Sequence, residues 1–339
     1  MSLSVRGPAM SDVAVRAGVS HQTVSRVLNG HPSVRPETRE RVVEAVAALG
    51  YRRNNAARAL VTRRTGTLGV VTPATALHGP ASTLVGLEEA ARESGWFVAV
   101  ATVRGFDGET MRGVLEQFLA QGVDGLAVVA PTVQIASALD DVDWPVPVVL
   151  VSSGADVTGV RGRLAVGVDQ RRGARVATRH LLAAGHASVA HVAGPQDWFD
   201  ARDRLAGWAD ECRAAGAVMD PPIVTGWSAQ DGHEAGRRLL HTGLPSAVFA
   251  ANDQLALGLL HAFWEAGVRV PDDVRVVGFD DESGAAHYLP PLTTVRQDFG
   301  ELGRLAIDAF RSALAGERPI VRTVSPRLVV RRSSMRRPA

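Results

Sequence analysis

Polar side chains suited to carbohydrate recognition follow the ends of two apolar runs in this chain. Residues 252–254, Asn-Asp-Gln, come directly after the run 247–251, and Asp280 and Asp281 come after the run 274–279. Carboxylates accept hydrogen bonds from sugar hydroxyls, and amides both donate and accept them. This combination at the ends of apolar segments predicts a binding site for a neutral sugar.

Arg204, Trp227 and Phe299 would add a guanidinium group and two aromatic rings, which can stack on the C–H face of a sugar. Several of these candidates also have a purely structural interpretation. Asn252 fits a helix cap, Trp227 a place in the core, and Arg204 one half of a surface ion pair. Residue types alone leave both interpretations open.

A second polar set lies in the first sixty residues and suits contacts with DNA. Ser20 can cap a helix over 21–28, and the side chains that this helix would direct at bases are His21, Gln22, Ser25 and Arg26. Arginine can pair with guanine and glutamine with adenine. The residues suited to phosphate contacts are Thr23, Ser25, Arg35, Thr38 and Arg39. The alternative is that this set is the solvated face of a small helical bundle.

Three short helices must position this set. Apolar spacing predicts helices over 12–17, 21–28 and 36–49, with Ser11 as a cap of the first and a tight connection at 18–20. That connection is typical of a helix-turn-helix, whose second helix enters the major groove. The next segment, 51–64, favours helix but is short, so it is predicted to fold only when something supports it.

From residue 65 onward, apolar runs alternate with helical stretches, which indicates βαβ units and parallel sheets in two successive lobes. Strands are predicted at 68–73, 97–101, 125–130, 146–151, 188–193, 247–251 and 274–279. Helices are predicted at 82–94, 110–121, 172–184, 201–215 and 252–266. Open α/β sheets bind ligands at the carboxyl ends of their strands, where the candidate sugar-binding residues begin.

The 339 residues have the composition of a folded protein, with 46% hydrophobic and 21% charged residues, and the length allows two or three domains. All 37 basic residues are arginine. Residues 1–64 carry a net charge of +7 and residues 65–339 a net charge of −5. A basic head on a mildly acidic body is typical of a polyanion-binding module, although a solvated basic face would give the same charge.

Several classes of protein find no support in the sequence. The single cysteine, Cys212, cannot form an internal disulfide and fits no zinc-motif spacing. Neither a membrane-spanning run nor a signal peptide is recognisable, so a cytoplasmic location is expected. Motifs for phosphate-binding loops and hydrolases are missing, and His233-Glu234 is followed by Arg237 where a zinc protease needs histidine. We expect no enzyme activity, no cofactor and no metal.

Three segments of the head resemble the lactose-repressor family (LacI/GalR) of bacterial transcription regulators, and the resemblance extends through most of the chain. They are DVAVRAGVSHQTVSRVLNG from residue 12, PETRERVVEAVAALGY from residue 36 and NNAARAL from residue 54. The resemblance implies paired hinge helices in the minor groove, with Asn54 contacting DNA and Leu60 wedged into the base stack. Ordinary packing is the alternative role for Leu60.

Five segments of the body, 76–80, 201–208, 251–258, 277–281 and 289–299, resemble the lactose-repressor branch in particular. This implies a galactoside or related β-glycoside as effector. The implied contacts are Arg204, Asn252 and Asp280 to hydroxyls, Leu77, Trp227 and Phe299 along the apolar wall, and Gln297 at the crossover between lobes. Ser152 and Asp200 are also placed in the site, where that branch has Asp and Ser, so the acid has moved across the pocket.

The predicted architecture is therefore an N-terminal all-α helix-turn-helix head and an α/β core of the periplasmic-binding-protein type, with two parallel-sheet lobes. The expected bounds are 10–50 for the DNA-binding domain, 51–64 for the hinge, 65–332 for the effector-binding and dimerisation domain and 333–339 for a tail. Within the core, the first lobe is expected at about 65–165 and 297–325, and the second at about 166–296 and 326–332. The C-terminal segment lacks heptads, so a homodimer is expected on double-stranded operator DNA.

The expected function is a transcriptional repressor that a galactoside-like inducer releases from a palindromic operator. A periplasmic-type sugar-binding protein shares the two-lobed body but has no use for a basic head. A regulator of the same family that a corepressor tightens on DNA is the second alternative.

Overall fold

The computed structural model describes residues 8–28, 30–51, 64–104, 107–130, 132, 134–135, 144–152, 164–317 and 321–335. Contacts divide the chain into two compact units, Met1–Thr65 and Gly66–Ala339, called here the head and the body. Asn54 and Leu60, which were predicted to contact DNA, lie outside the described residues.

Within its described residues the head contains three helices, α1 (Met10–Ala17), α2 (His21–Leu28) and α3 (Pro36–Leu49). Helix α1 begins before Ser11, because the Ala9 backbone N–H donates to the Asp12 carboxylate at 2.7 Å and closes the first turn there. Helix α2 is capped as predicted: the Thr23 backbone N–H donates to Ser20 Oγ at 3.1 Å. The buried residues that hold the three helices together are Val13, Ala14, Ala17, Val24, Val27, Val42, Ala45 and Tyr51.

The first lobe of the body is built on a parallel sheet. Its strands are β1 (Thr67–Pro73), β2 (Phe97–Val103), β3 (Gly125–Val129), β4 (Val148–Val151), β5 (Leu164–Val168) and β11 (Val321–Val324). They lie in the order β2-β1-β3-β4-β5-β11. The helices among the described residues of this lobe are α4 (His78–Glu93), α5 (Gly108–Ala120) and α10 (Phe299–Leu314).

The second lobe has a sheet of the same size within the described residues. Its strands are β6 (Ala190–Ala193), β7 (Ile223–Val224), β8 (Ala247–Ala250), β9 (Arg275–Asp280), β10 (Thr293–Arg296) and β12 (Arg327–Val329), in the order β7-β6-β8-β9-β10-β12. All pairs are parallel except β10 with β12. The helices of this lobe are α6 (Gln170–Ala183), α7 (Phe199–Ala215), α8 (Ala229–Thr242) and α9 (Asp253–Glu265).

Two of the expected boundaries in the body need correction. Strand β5 lies wholly in the first sheet between β4 and β11, so the first lobe extends to Val168 and not to about 165. Ser333 and Ser334 are buried and not part of a tail. Ser333 Oγ donates to the Val276 carbonyl at 2.6 Å and accepts from the Thr293 backbone N–H at 2.8 Å, which fixes this segment to the second lobe.

The chain passes between the two lobes at three places: between β5 and α6 at Asp169, between β10 and α10 at residues 297–298, and between β11 and β12 at residues 325–326. Gln297 therefore lies at a crossover, as the family resemblance implied. Because the two sheets present the carboxyl ends of their parallel strands near these crossovers, a ligand cleft is expected between the lobes. None of the described helices is long and apolar enough to span a lipid bilayer.

Candidate functional site

A cleft of about 280 Å³ lies between the two lobes of the body. Six residues predicted for the sugar site line it: Leu77, Asp200, Arg204, Trp227, Asn252 and Asp280. Residues that the sequence interpretation did not assign to the site also line it, chiefly His78, Trp198, Gln254 and Glu282. Leu77 and His78 belong to the first lobe and the polar residues mainly to the second, so a ligand here would touch both.

The other three predicted residues, Ser152, Gln297 and Phe299, line a smaller adjoining cavity of about 50 Å³. Gly79, Pro80, Trp198 and Asp200 line both cavities, which are therefore adjacent. The structure thus brings all nine predicted residues into one region, but it divides them between two neighbouring spaces.

A closed ring of buried side chains joins residues of the cleft to residues of the adjoining cavity. Arg204 Nε donates to Gln170 Oε1 at 3.0 Å, and Gln170 Nε2 donates to Gln297 Oε1 at 2.8 Å. Gln297 Nε2 donates to Asp280 Oδ1 at 2.7 Å, and the same oxygen lies 3.3 Å from Arg204 Nη2. The ring connects α6 and α7 to the crossover at Gln297, so it joins the cleft surface to a segment that links the lobes. The sequence patterns do not point to Gln170, because they give no signal for strand β5, whose carboxyl end it follows.

Arg204 is the central residue of this ring and is not the surface ion-pair partner of the alternative interpretation. Its side chain is only 3% exposed, and besides Asp280 it faces Asp200 Oδ2 at 3.7 Å. Its guanidinium carbon lies 3.8 Å from the centre of the Phe279 ring and 5.8 Å from that of Trp227. A planar guanidinium can stack on rings and donate in several directions at once, which a lysine ammonium cannot do.

Asp280 carries the carboxylate that the ring presents to the cleft. Burial raises the pKa of Asp280 to about 6, while the positive charges of Arg204 and His78 oppose the rise. Its backbone has a φ of 109°, a left-handed conformation unusual for a residue other than glycine. Such strain is found where the surrounding structure forces a functional side chain into place.

Asp253 fixes the segment that follows β9 by hydrogen bonds, although it is not among the residues that line the cleft. Burial, reinforced by the nearby Asp280, raises the pKa of Asp253 well above its usual range. Asp253 Oδ1 accepts from the Thr294 hydroxyl at 2.6 Å, and Oδ2 accepts from the Glu282 backbone N–H at 2.8 Å. A side chain on residue 278 would collide with Asp253 Oδ1, since an added Cβ would lie 2.3 Å from it, so Gly278 is required here.

Asn252 has both of the roles that its residue type allowed. Its Oδ1 accepts from the Leu255 backbone N–H at 2.8 Å and caps α9, while Nδ2 donates to the Trp227 carbonyl at 3.1 Å. Asn252 nevertheless lines the cleft. Because a side-chain amide has two N–H donors and two acceptor lone pairs, one of each remains for a ligand.

Aromatic rings form the apolar walls. Trp198 and Trp227 meet edge to face with their ring centres 5.7 Å apart, and His78 meets Phe299 in the same way at 5.6 Å. The buried Nε1 of Trp227 has no hydrogen-bond partner among the described residues. A buried indole N–H normally has a partner, so a ligand hydroxyl or a water is expected there.

The two lobes also touch directly at the cleft. Thr132 of the first lobe and Trp198 of the second form an antiparallel backbone bridge. The charge of His78, on α4, acts on Asp280, on β9. A ligand in the cleft would therefore interact with groups whose distances depend on the relative orientation of the lobes. Trp198 lies in a loop and His78 is the first residue of α4, so the spacing of residues in the sequence does not point to either as a site residue. His78 does lie inside the segment 76–80, which resembles the lactose-repressor branch.

In the head, His21, Gln22 and Arg26 are exposed on α2, while Thr23 and Ser25 are half-buried. The Thr23 hydroxyl is paired with Ser20 Oγ at 2.9 Å. These exposed donors and the imidazole lie along the second helix, from its start at His21 to its last turn at Arg26, and match a face that reads base edges. Among the residues suited to phosphate, Arg35 is exposed, whereas Arg39 donates to the His31 carbonyl at 2.8 Å.

Two family models match the chain in these same units. The model described as bacterial regulatory proteins, lacI family, matches residues 9–54. The model described as a periplasmic binding protein-like domain matches residues 178–334.

Whole-chain relatives agree with both models. The chain is 36% identical over 308 residues to the lactose operon repressor of Escherichia coli (strain K12), covering 90% of this chain and 84% of the repressor. It is 36% identical over 349 residues to the HTH-type transcriptional regulator CelR of Thermobifida fusca, covering 97% of this chain and 98% of CelR. The relatives named here are transcriptional regulators.

Solved structures show the same fold. The Lac repressor dimer bound to operator and the anti-inducer ONPF superposes with a TM-score of 0.81 at 32% identity, over 98% of this chain and 100% of that chain. The CelR–cellobiose complex superposes with a TM-score of 0.72 at 33% identity, over 96% of this chain and 100% of that chain. Since these similarities extend over both the head and the body, the chain belongs to the lacI family of bacterial regulatory proteins.

Proposed function

We propose that this protein is a DNA-binding transcriptional repressor whose effector is a galactoside or a related β-glycoside. The observation that carries the proposal is the cleft lined from both lobes, in a chain whose head presents exposed base-reading side chains on α2. A binding protein without a DNA target would not need such a head. No catalytic step is assigned to the cleft, and a regulator of this kind acts in the cytoplasm.

The DNA-binding half of the proposal rests on the head. Residues 10–50 form the reading domain, with His21, Gln22 and Arg26 toward base edges and Thr23 and Ser25 toward the backbone. Two copies of the chain are needed to read the two halves of a palindrome, and the related Lac repressor is a dimer on its operator. We therefore propose a homodimer on double-stranded operator DNA.

The effector half rests on the chemistry of the cleft. Asp280, Asp200 and Asn252 supply acceptors and a donor for hydroxyls, and Trp227 and Leu77 supply an apolar wall. The related CelR forms a complex with cellobiose, and the related Lac repressor is bound to ONPG in its repressed state. Ser152, Gln297 and Phe299, in the adjoining cavity, are placed to contact a larger substituent on the sugar.

Coupling follows from the position of the cleft. A ligand that contacts both lobes favours one orientation of the lobes relative to each other. In our proposal this change of orientation acts on the hinge, residues 51–64, in each copy. We propose that the change weakens the DNA contacts assigned to Asn54 and Leu60, and with them binding to the operator.

The experiment is footprinting of the full-length protein on promoter DNA next to its own gene, with and without a panel of galactosides and β-glucosides. We expect protection over a palindrome that at least one glycoside removes. Stronger protection with a glycoside would mean that the sugar tightens binding to the operator, and it would identify that sugar as a corepressor. Identical protection with every sugar and with none would overturn the proposal.

A further inference from the structure

We propose that the second lobe holds a zinc site, made by His233 on α8 and by His261 and Glu265 on α9. The site is separate from the effector cleft, because none of these residues lines it. The sequence motif that singled out His233-Glu234 failed for lack of a histidine four residues on, but the fold supplies a second histidine from the neighbouring helix.

The three side chains are placed to share one ion. One ligand atom from each lies within 4.8 Å of the others. His233 Nε2 is 2.7 Å from Glu265 Oε2, and His261 Nε2 is 3.7 Å from Glu265 Oε1. His261 and Glu265 are four residues apart on α9, so both project from one helix face.

The backbone fixes the spacing between the two helices. A Cβ on Gly258 of α9 would lie 1.9 Å from the Ala229 carbonyl, and a Cβ on Gly232 of α8 would lie 2.2 Å from the Leu255 carbonyl. Only glycine permits this approach. The helices therefore pack backbone to backbone, which brings the His233 and His261 rings to 5.2 Å between centres. The ligand set is positioned by rigid packing and not by flexible loops.

The chemistry of the cluster suits a cation. Glu265 offers a carboxylate, and metal ligation uses the neutral form of imidazole, which His233 and His261 can both supply. His233 Nε2 and Glu265 already lie within hydrogen-bond distance, so a bound ion would take the place of that hydrogen bond. Arg237 is the nearby cation that opposes metal binding.

The donor set indicates the metal class. Two imidazole nitrogens and one carboxylate are ligands for zinc, which is four-coordinate and leaves one position for water. Oxygen-preferring ions such as calcium and magnesium rarely use imidazole. His261 is 58% exposed and Glu265 48% exposed at their side chains, so the ion can enter from solvent. Bound zinc would clamp α8 to α9 and stabilise the second lobe.

The test is calorimetric titration of ZnCl₂ into the full-length, chelator-treated protein and its variants. Wild type should bind one zinc per chain, and His233→Ala, His261→Ala and Glu265→Gln should each bind roughly tenfold or more weakly. His241→Ala is the matched control, because His241 is an exposed histidine on the same helix α8; its affinity should equal that of wild type. Arg237→Ala should bind zinc more tightly, since it removes the competing charge.

A second readout uses Co²⁺ in place of zinc, since a protein-ligated cobalt ion gives visible absorption bands that an ion on scattered surface groups does not. We expect these bands in wild type and in His241→Ala and their loss in His261→Ala. Equal zinc affinity in all the variants, or no binding by wild type, would overturn the proposal, the first outcome meaning an adventitious ion only. Circular dichroism of each variant shows that a loss of binding is not a loss of fold.

Discussion

The candidate DNA-reading face and the effector cleft place their polar side chains in opposite environments. His21, Gln22 and Arg26 are exposed, whereas Arg204 and Asp280 are buried and bonded to each other and to two glutamines. An exposed side chain can be changed without disturbing the fold, but a buried network fails as a unit. Mutations of these three exposed head residues should therefore report on recognition alone, and mutations in the cleft on recognition and stability together.

The largest effect is expected for Arg204→Ala. It leaves the Asp280 carboxylate buried without its charge partner, which costs about 3–5 kcal/mol of stability, and it should abolish the response to sugar. Operator binding should persist, because the head folds around its own core. Calorimetry with the inducing sugar and anisotropy with operator DNA measure the two responses. Arg204→Lys should also fail to bind sugar; an undiminished sugar response in either variant would remove Arg204 from the site.

A smaller effect, confined to the head, is expected for Arg26→Ala. Loss of a paired contact to a base should cost about 1–3 kcal/mol at one position of each half-site and leave sugar affinity unchanged. The matched control is Arg35→Ala, at an exposed residue suited to phosphate, which should weaken binding to all sequences alike and reduce the salt dependence. Binding to a set of single-base operator variants separates the two patterns. A uniform loss for Arg26→Ala would make it a phosphate contact.

The cleft should also respond to pH. Burial raises the pKa of Asp280 to about 6, so lowering the pH below that value protonates the carboxylate and removes an acceptor for sugar hydroxyls. Sugar affinity should fall about tenfold between pH 7.5 and pH 5, since one pH unit below the pKa leaves about a tenth of the groups ionised. Asp280→Asn should bind weakly at both values. A pH dependence that survives in Asp280→Asn would show that a group other than Asp280 controls it.

The smallest effect is expected for Ser20→Ala. Removing the cap of α2 leaves the Thr23 backbone N–H unpaired and should cost about 1 kcal/mol of head stability. Operator affinity should decrease slightly and sugar affinity should stay the same. Thermal unfolding followed by circular dichroism measures the first effect and calorimetry the last. Lower sugar affinity would contradict the separation of the two regions.

Sequence patterns predicted the parts of this protein that local physics determines. The helix-turn-helix, the cap at Ser20 and the strand ends before Asn252 and Asp280 all leave signals within a few residues. Arg204 and Asp280 are 76 positions apart in sequence; their residue types suggested a common site, but no local pattern predicted the contact between them.

Other features depend on contacts that are distant in sequence, which a local pattern does not show. Strand β5 is short and contains a glycine, and it is defined by pairing with β4 and with the distant β11. Strand β10 begins with Thr293 and Thr294, whose buried hydroxyls bond to the Arg331 carbonyl and to Asp253. Trp198 reaches the cleft from a loop. The division of the site into two adjoining cavities likewise follows from how the lobes pack.

The coupling between cleft and operator is tested most directly by measuring the affinity of the inducing glycoside for the free protein and for the protein saturated with operator DNA. Linkage requires that the operator weaken sugar binding by the same factor by which the sugar weakens operator binding. We predict matching factors of roughly 5 to 150, the usual range of such coupling. Equal sugar affinities with and without operator would contradict the account.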